Sequence, residues 1–118
     1  MAGTDNRDLP LVPERRPQRR TRVLLGALIV YHDGAQHFDC MMRDLTSVGA
    51  RIALPRNQPM PSLVYLINMR DRTAHEAKVA WNSGKAAGLS FLNSFPLSEI
   101  TDPKLSYLKQ LWHERAMR

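Results

Sequence analysis

The chain has 118 residues, a formal net charge of +6 and 43% apolar residues. That is enough for one folded domain with a modest core, and the charge points to anionic partners such as nucleotide, nucleic acid or acidic lipid. Its single cysteine, Cys40, excludes an internal disulfide and fits a reducing cytoplasm. No run approaches the roughly 20 apolar residues of a membrane span. The N-terminus MAGTDNRDLPLVPERR lacks the apolar centre of a secretory signal, so the expected location is the cytoplasm.

Residues 1–22 have almost no apolar periodicity and are read as a flexible arm, with 1–13 its free part and an arginine-rich loop at 14–22. VLLGALIVY (23–31) is a continuous apolar, partly β-branched run and predicts a strand. Asp33-Gly34 suits a two-residue type I′ hairpin turn, which needs positive φ at both positions. In QHFDCMMRDL after it, Phe38, Cys40 and Met42 share one face, and His37, Asp39, Met41 and Arg43 the other. Further strands are predicted at 50–54, 63–69, 74–81 and 86–92, with Ala77, Val79 and Trp81 on one face of the fifth. Short turns between them imply antiparallel pairing. Asp102 as N-cap, Pro103 at the first helical position and Leu105, Leu108, Leu111 and Trp112 at helical spacing predict an amphipathic helix over about 103–116. The fold class is therefore mainly β: a small antiparallel barrel or sandwich of six strands with a C-terminal α-helix.

The hairpin bears on ERRPQRRTR (14–22), which packs five arginines into nine positions. If Asp33 and Gly34 form the turn, paired positions sum to 67, placing Val23 opposite Asp44, Arg22 opposite Leu45 and Arg20 near Ser47. The basic run then emerges beside RDLTSVGAR (43–51), which offers a carboxylate at Asp44, hydroxyls at Thr46 and Ser47 and a glycine at 49. Taken alone, that segment reads as an ordinary turn, since Asp, Thr, Ser and Gly all form turns. Together the two segments suit a guanine nucleotide. An arginine fork matches the O6/N7 edge of guanine and phosphate oxygens, and a carboxylate accepts from its N–H edge. Two or three such contacts, less the ordering of an arm, predict affinity around the micromolar range.

The spacing R-x-x-x-R before the first strand and D-x-T-x-x-G after the second resembles the PilZ domain. The likeness extends over about residues 14–116, AKVAW…AAGLSF included. It implies a six-stranded β-barrel with a C-terminal helix and a bacterial receptor for the second messenger cyclic di-GMP. In that family the arginines grip the guanines and phosphates of the ligand; here Arg16 and Arg20 fit, and Arg15 and Arg19 satisfy the same spacing. Asp44 and Thr46 stand where the family contacts a guanine, and Gly49 where it shapes the turn. Thr46 departs from the family's serine, keeping the hydroxyl and adding a methyl that stiffens χ1. The resemblance further implies that ligand binding orders the arm and passes the change to a separate effector protein, not identified by the sequence.

Two other readings stand beside this one: a PilZ-like adaptor that works by protein contacts without nucleotide, and a basic arm that holds nucleic acid through phosphates. No Ser-His-Asp, paired-carboxylate or P-loop arrangement is visible, so the reading is of a non-enzyme without cofactor. His37 and Cys40 fall on opposite strand faces, which argues against a metal site there. Cys40 reads as a small core residue, and Trp81 and Trp112 as core anchors. Oligomeric state is open, with a monomer expected.

Overall fold

A computed structural model describes residues 21–34 and 36–117. Six strands, β1 (Thr21–Tyr31), β2 (His37–Leu45), β3 (Gly49–Ala53), β4 (Leu63–Asn68), β5 (Thr73–Asn82) and β6 (Ala86–Pro96), form a closed antiparallel barrel in the order β1-β2-β3-β6-β5-β4. Pairing of β1 with β4 closes it, so both edges that an open sheet would expose are hydrogen-bonded. After a short 3₁₀ turn at Leu97–Glu99, a second at Pro103–Leu105 leads into α1 (Ser106–Ala116). Asp102 caps this segment as predicted, its carboxylate accepting from the Lys104 N–H at 2.9 Å with Pro103 at the first position.

The alternation predicted for β2 holds from His37 to Met42: Cys40 and Met42 are buried, while His37, Asp39 and Met41 face solvent. Inward residues such as Ile29, Met42, Ile52 and Leu66 fill the barrel. β4 and the second half of β1, from Ala27 to Val30, read as continuous apolar runs because both of their faces are buried, whereas Leu24 nearer the start of β1 is exposed. Their outward residues Leu28, Val30, Tyr65 and Ile67 meet Leu108 of α1, which has no exposed surface, to form a second core outside the barrel. At roughly 25 cal/mol per Å², fully burying one leucine contributes about 1.5–3 kcal/mol. Trp112 pins the helix, its indole N–H donating to the Met69 carbonyl at 2.9 Å. Arg115 in the last turn of α1 folds back to pair with Asp39 at 3.2 Å.

The first hairpin departs from the expected turn. Gly34 has φ +77°, but no positive φ occurs at Asp33, so a type I′ turn is ruled out. The Gly34 N–H donates to the Tyr31 carbonyl at 2.7 Å and the Tyr31 N–H to the Gln36 carbonyl at 2.8 Å, making His32 and Asp33 the central turn residues. Because Tyr31 still pairs with Gln36, the sum of 67 survives from Leu25 to Val30. A bulge before Leu25 then moves the register by one, so Arg22, not Val23, stands opposite Asp44, and Thr21 opposite Leu45.

Candidate site at the β2–β3 turn

The β2–β3 turn is built by Thr46. Its hydroxyl accepts from the N–H groups of Val48 (3.1 Å) and Gly49 (3.0 Å) and donates to the Gly49 carbonyl (3.2 Å). A hydroxyl has one donor and two acceptor positions, so the turn uses all of them. Its backbone N–H also donates to the Gly49 carbonyl, at 2.9 Å. Ser47 lies exposed at the tip. Gly49 is required for a reason other than a left-handed turn: its φ is not positive, but a Cβ there would strike the Leu89 carbonyl of β6. The close approach of β3 to β6 therefore selects glycine.

Asp44 is placed by a second bulge. Met42 pairs with Ile52 and Asp44 with Arg51, which leaves Arg43 as the extra residue of β2. Leu45 and its partner Ala50 pack on the interior, so the neighbouring pair Asp44 and Arg51 stands on the outer face. There the Asp44 carboxylate, only 4% exposed, accepts from Arg51 Nε at 2.6 Å, while the Arg51 side chain remains 43% exposed. One charge is thus withdrawn from solvent and the other keeps its hydration. The attraction between them is less screened than in an open surface pair.

Trp81 joins this site instead of the core, contrary to the sequence expectation. Val79 pairs with Leu89 but Trp81 with Gly88, leaving Ala80 as an extra residue that turns the indole to the outside. The indole is 46% exposed and rests on Gly88, where any Cβ would overlap its five-membered ring. Strand register then lines up Arg22, Asp44, Arg51, Gly88 and Trp81 across five strands. A cleft of about 290 Å³ follows this row, lined by Asp44, Thr46 and Gly49 together with Arg51, Trp81 and Ser90. Arg15, Arg16, Arg19 and Arg20 lie outside the described residues. The missed residues carried a faint signal, since AWNSGKAAG holds a tryptophan and a glycine either side of a tight turn.

A larger cleft of about 720 Å³ lies beside α1, between Pro96, Leu97, Lys109 and Trp112, with Arg72 stacked 5.0 Å over the indole of Trp112. It contains none of the predicted site residues. Cys40 is closed inside the barrel, and burial first, then the charge of Asp39, pushes its thiol up to about 12. It therefore carries little thiolate at neutral pH.

A closed barrel of six antiparallel strands, one helix on its outer wall and a cleft at the second turn define the class to which this molecule belongs. The chain is a member of the PilZ domain family, whose family model matches residues 14–102. PilZ domains are binding and adaptor domains, generally for cyclic di-GMP, and are not catalytic. No curated protein matches the chain. Among the described residues, no helix is long and apolar enough to cross a membrane.

Proposed function

We infer that this PilZ domain is a cytoplasmic bacterial receptor for cyclic di-GMP. It takes the ligand between an RxxxR loop, with Arg16 and Arg20 or Arg15 and Arg19 as the gripping pair, and the DxTxxG turn at Asp44–Gly49. The observation that carries this reading is the juxtaposition at the start of the barrel. The chain leaves the arginine run directly into β1, whose Arg22 is the register partner of Asp44, and Asp44 lines the cleft with Thr46 and Gly49. A buried carboxylate facing a cleft suits the N–H edge of guanine, and arginine forks suit its other edge and the phosphates. Of the two motif side chains, Asp44 is the one with a recognition role. Thr46 acts by holding the turn, which also explains why threonine is acceptable where the family has serine. Ligand binding orders the arm across the cleft, and that change is what an effector protein reads.

A second reading, an adaptor that does not bind nucleotide, draws on the occupancy of the motif. Thr46 has no hydrogen-bonding capacity left over and Asp44 is already held by Arg51. Isothermal titration of cyclic di-GMP separates the two. The receptor reading expects micromolar binding with chemical-shift changes at Asp44 and in residues 14–22; absence of both leaves the adaptor.

A further inference from the structure

The wall beneath α1 is closed, but the flank of the helix that faces the end of β6 is open. The cleft of about 720 Å³ there combines an apolar surface, made by Pro96, Leu97 and the Trp112 indole, with the exposed cations Arg72 and Lys109. Arg72 ends the β4–β5 turn with φ +56°, and among the described residues it is the one non-glycine in the left-handed region. Glycine adopts that conformation freely, whereas an L side chain there is strained. The strain is held by the surroundings: the Arg72 N–H donates to the Asn68 carbonyl at 2.9 Å, and its carbonyl accepts from the Leu97 N–H at 2.8 Å. The guanidinium lies over the Trp112 ring, 5.0 Å from its centre, and that indole is itself fixed by its bond to Met69.

We propose that this cleft docks a short acidic, amphipathic segment of a partner protein, with a carboxylate received by Arg72 and Lys109 and an adjoining apolar side chain laid against Leu97 and Trp112. Charge decides the sign of the partner. A guanidinium that rests a face on a ring keeps its in-plane N–H groups for a carboxylate fork, and among the described residues no carboxylate pairs with Arg72. Lys109 gives one N–H to the Ile100 carbonyl at 3.3 Å and has two more. Asp71, the acidic residue lining the cleft, already accepts from Arg70 Nε at 3.0 Å and Asn68 Nδ2 at 3.1 Å. Shape decides the kind of partner, since a concave site of this volume takes side chains, not a flat bilayer. Because β2, β4 and β6 run in one direction, the cleft lies at the same end of the barrel as the β2–β3 turn and the start of β1. The docking stands on either functional reading, receptor or adaptor.

The test uses the full chain. A phage-displayed random-peptide library is panned on wild type, and the enriched peptides are synthesised and titrated by calorimetry and NMR. Peptides with Asp or Glu beside an apolar residue should be enriched, and they should shift the signals of Arg72, Leu97 and the Trp112 indole N–H. Arg72→Gly relieves the left-handed strain and removes the fork, so it should stay folded and bind about 10- to 150-fold more weakly, the loss of one charge-assisted contact. Lys109→Gln should weaken binding too, and it decides the matter if Arg72→Gly unfolds. Arg72→Glu paired with a peptide whose acid is replaced by lysine should restore affinity. Enriched peptides without an acid, shifts confined to other surfaces, or equal affinity for the folded variants would overturn the proposal. Failure to enrich any peptide would overturn it as well; if anionic phosphatidylglycerol vesicles then bind wild type and not Arg72→Gly, the cleft belongs to a lipid surface instead.

Discussion

On the β1–β4–β5 wall of the barrel, Leu28, Val30, Tyr65 and Ile67 point outward and α1 closes over them. On the β2–β3–β6–β5 wall, Asp44, Arg51, Gly88 and Trp81 point outward, and none of the described elements covers them. Both surfaces sit on one hydrogen-bonded cylinder, yet the first shields apolar area and the second keeps a carboxylate nearly dry beside a half-exposed indole. An apolar surface is stabilised by being covered, whereas a buried charge and an exposed aromatic ring gain from a partner that arrives later. On the proposed receptor reading the helix wall belongs to stability and the cleft wall to recognition, and substitutions should separate the two.

The largest effect is expected on the helix wall. Leu108→Ala removes a side chain with no exposed surface and should cost about 2–5 kcal/mol in denaturant unfolding. Cyclic di-GMP affinity, measured where the variant is still folded, should be unchanged; a parallel loss of affinity would mean that the two walls are coupled. The barrel interior supplies the next effect. His75, 9% exposed, is bonded to the Ser94 hydroxyl at 2.6 Å and stacked 4.0 Å from Phe91, and burial lowers its pKa from 6.5 to about 4. The folded state refuses a proton that the unfolded chain accepts. Stability from this group is complete above pH 6.5, falls as the pH drops toward 4 and levels off below, by at most about 3 kcal/mol. His75→Gln should flatten that limb between pH 6.5 and 5.

A smaller effect sharpens the picture of the cleft. Arg51→Ala deprives a buried carboxylate of a partner, while Asp44→Ala leaves a guanidinium that water already reaches. Thermal unfolding should show the arginine variant as the less stable, by about 1–3 kcal/mol. The reverse order would mean that Asp44 is better solvated than its burial indicates. Smallest of all, Met41→Gln on the exposed face of β2 should change stability by no more than about 0.5 kcal/mol.

Much of this was legible from residue pattern. Continuous apolar runs and alternation located the six strands, and the cap Asp102–Pro103 located the helix, because these signals act over a few neighbouring residues. The hairpin brought the Asp44 segment back beside the start of β1 even though the turn type was wrong, since Gln36 pairs with Tyr31 under either geometry. What alternation does not register is a bulge. Arg43 and Ala80 each insert one residue, and each insertion reverses the face of the residues after it. That is why Trp81 was assigned to the core, and why Arg51 and Gly88 escaped notice. Their roles exist only once β3, β5 and β6 are side by side. Gly49 was recognised but for the wrong cause, as the approach of Leu89 comes from a strand some forty residues away.

The most direct measurement is calorimetric titration of cyclic di-GMP into the wild-type chain and into Asp44→Ala, with thermal unfolding of both to confirm that they are folded. Loss of a charge-assisted contact is worth about 1.5–3 kcal/mol, so the account predicts micromolar binding to wild type and binding about 10- to 150-fold weaker to the folded variant. No binding to wild type, or equal binding to both, would contradict it.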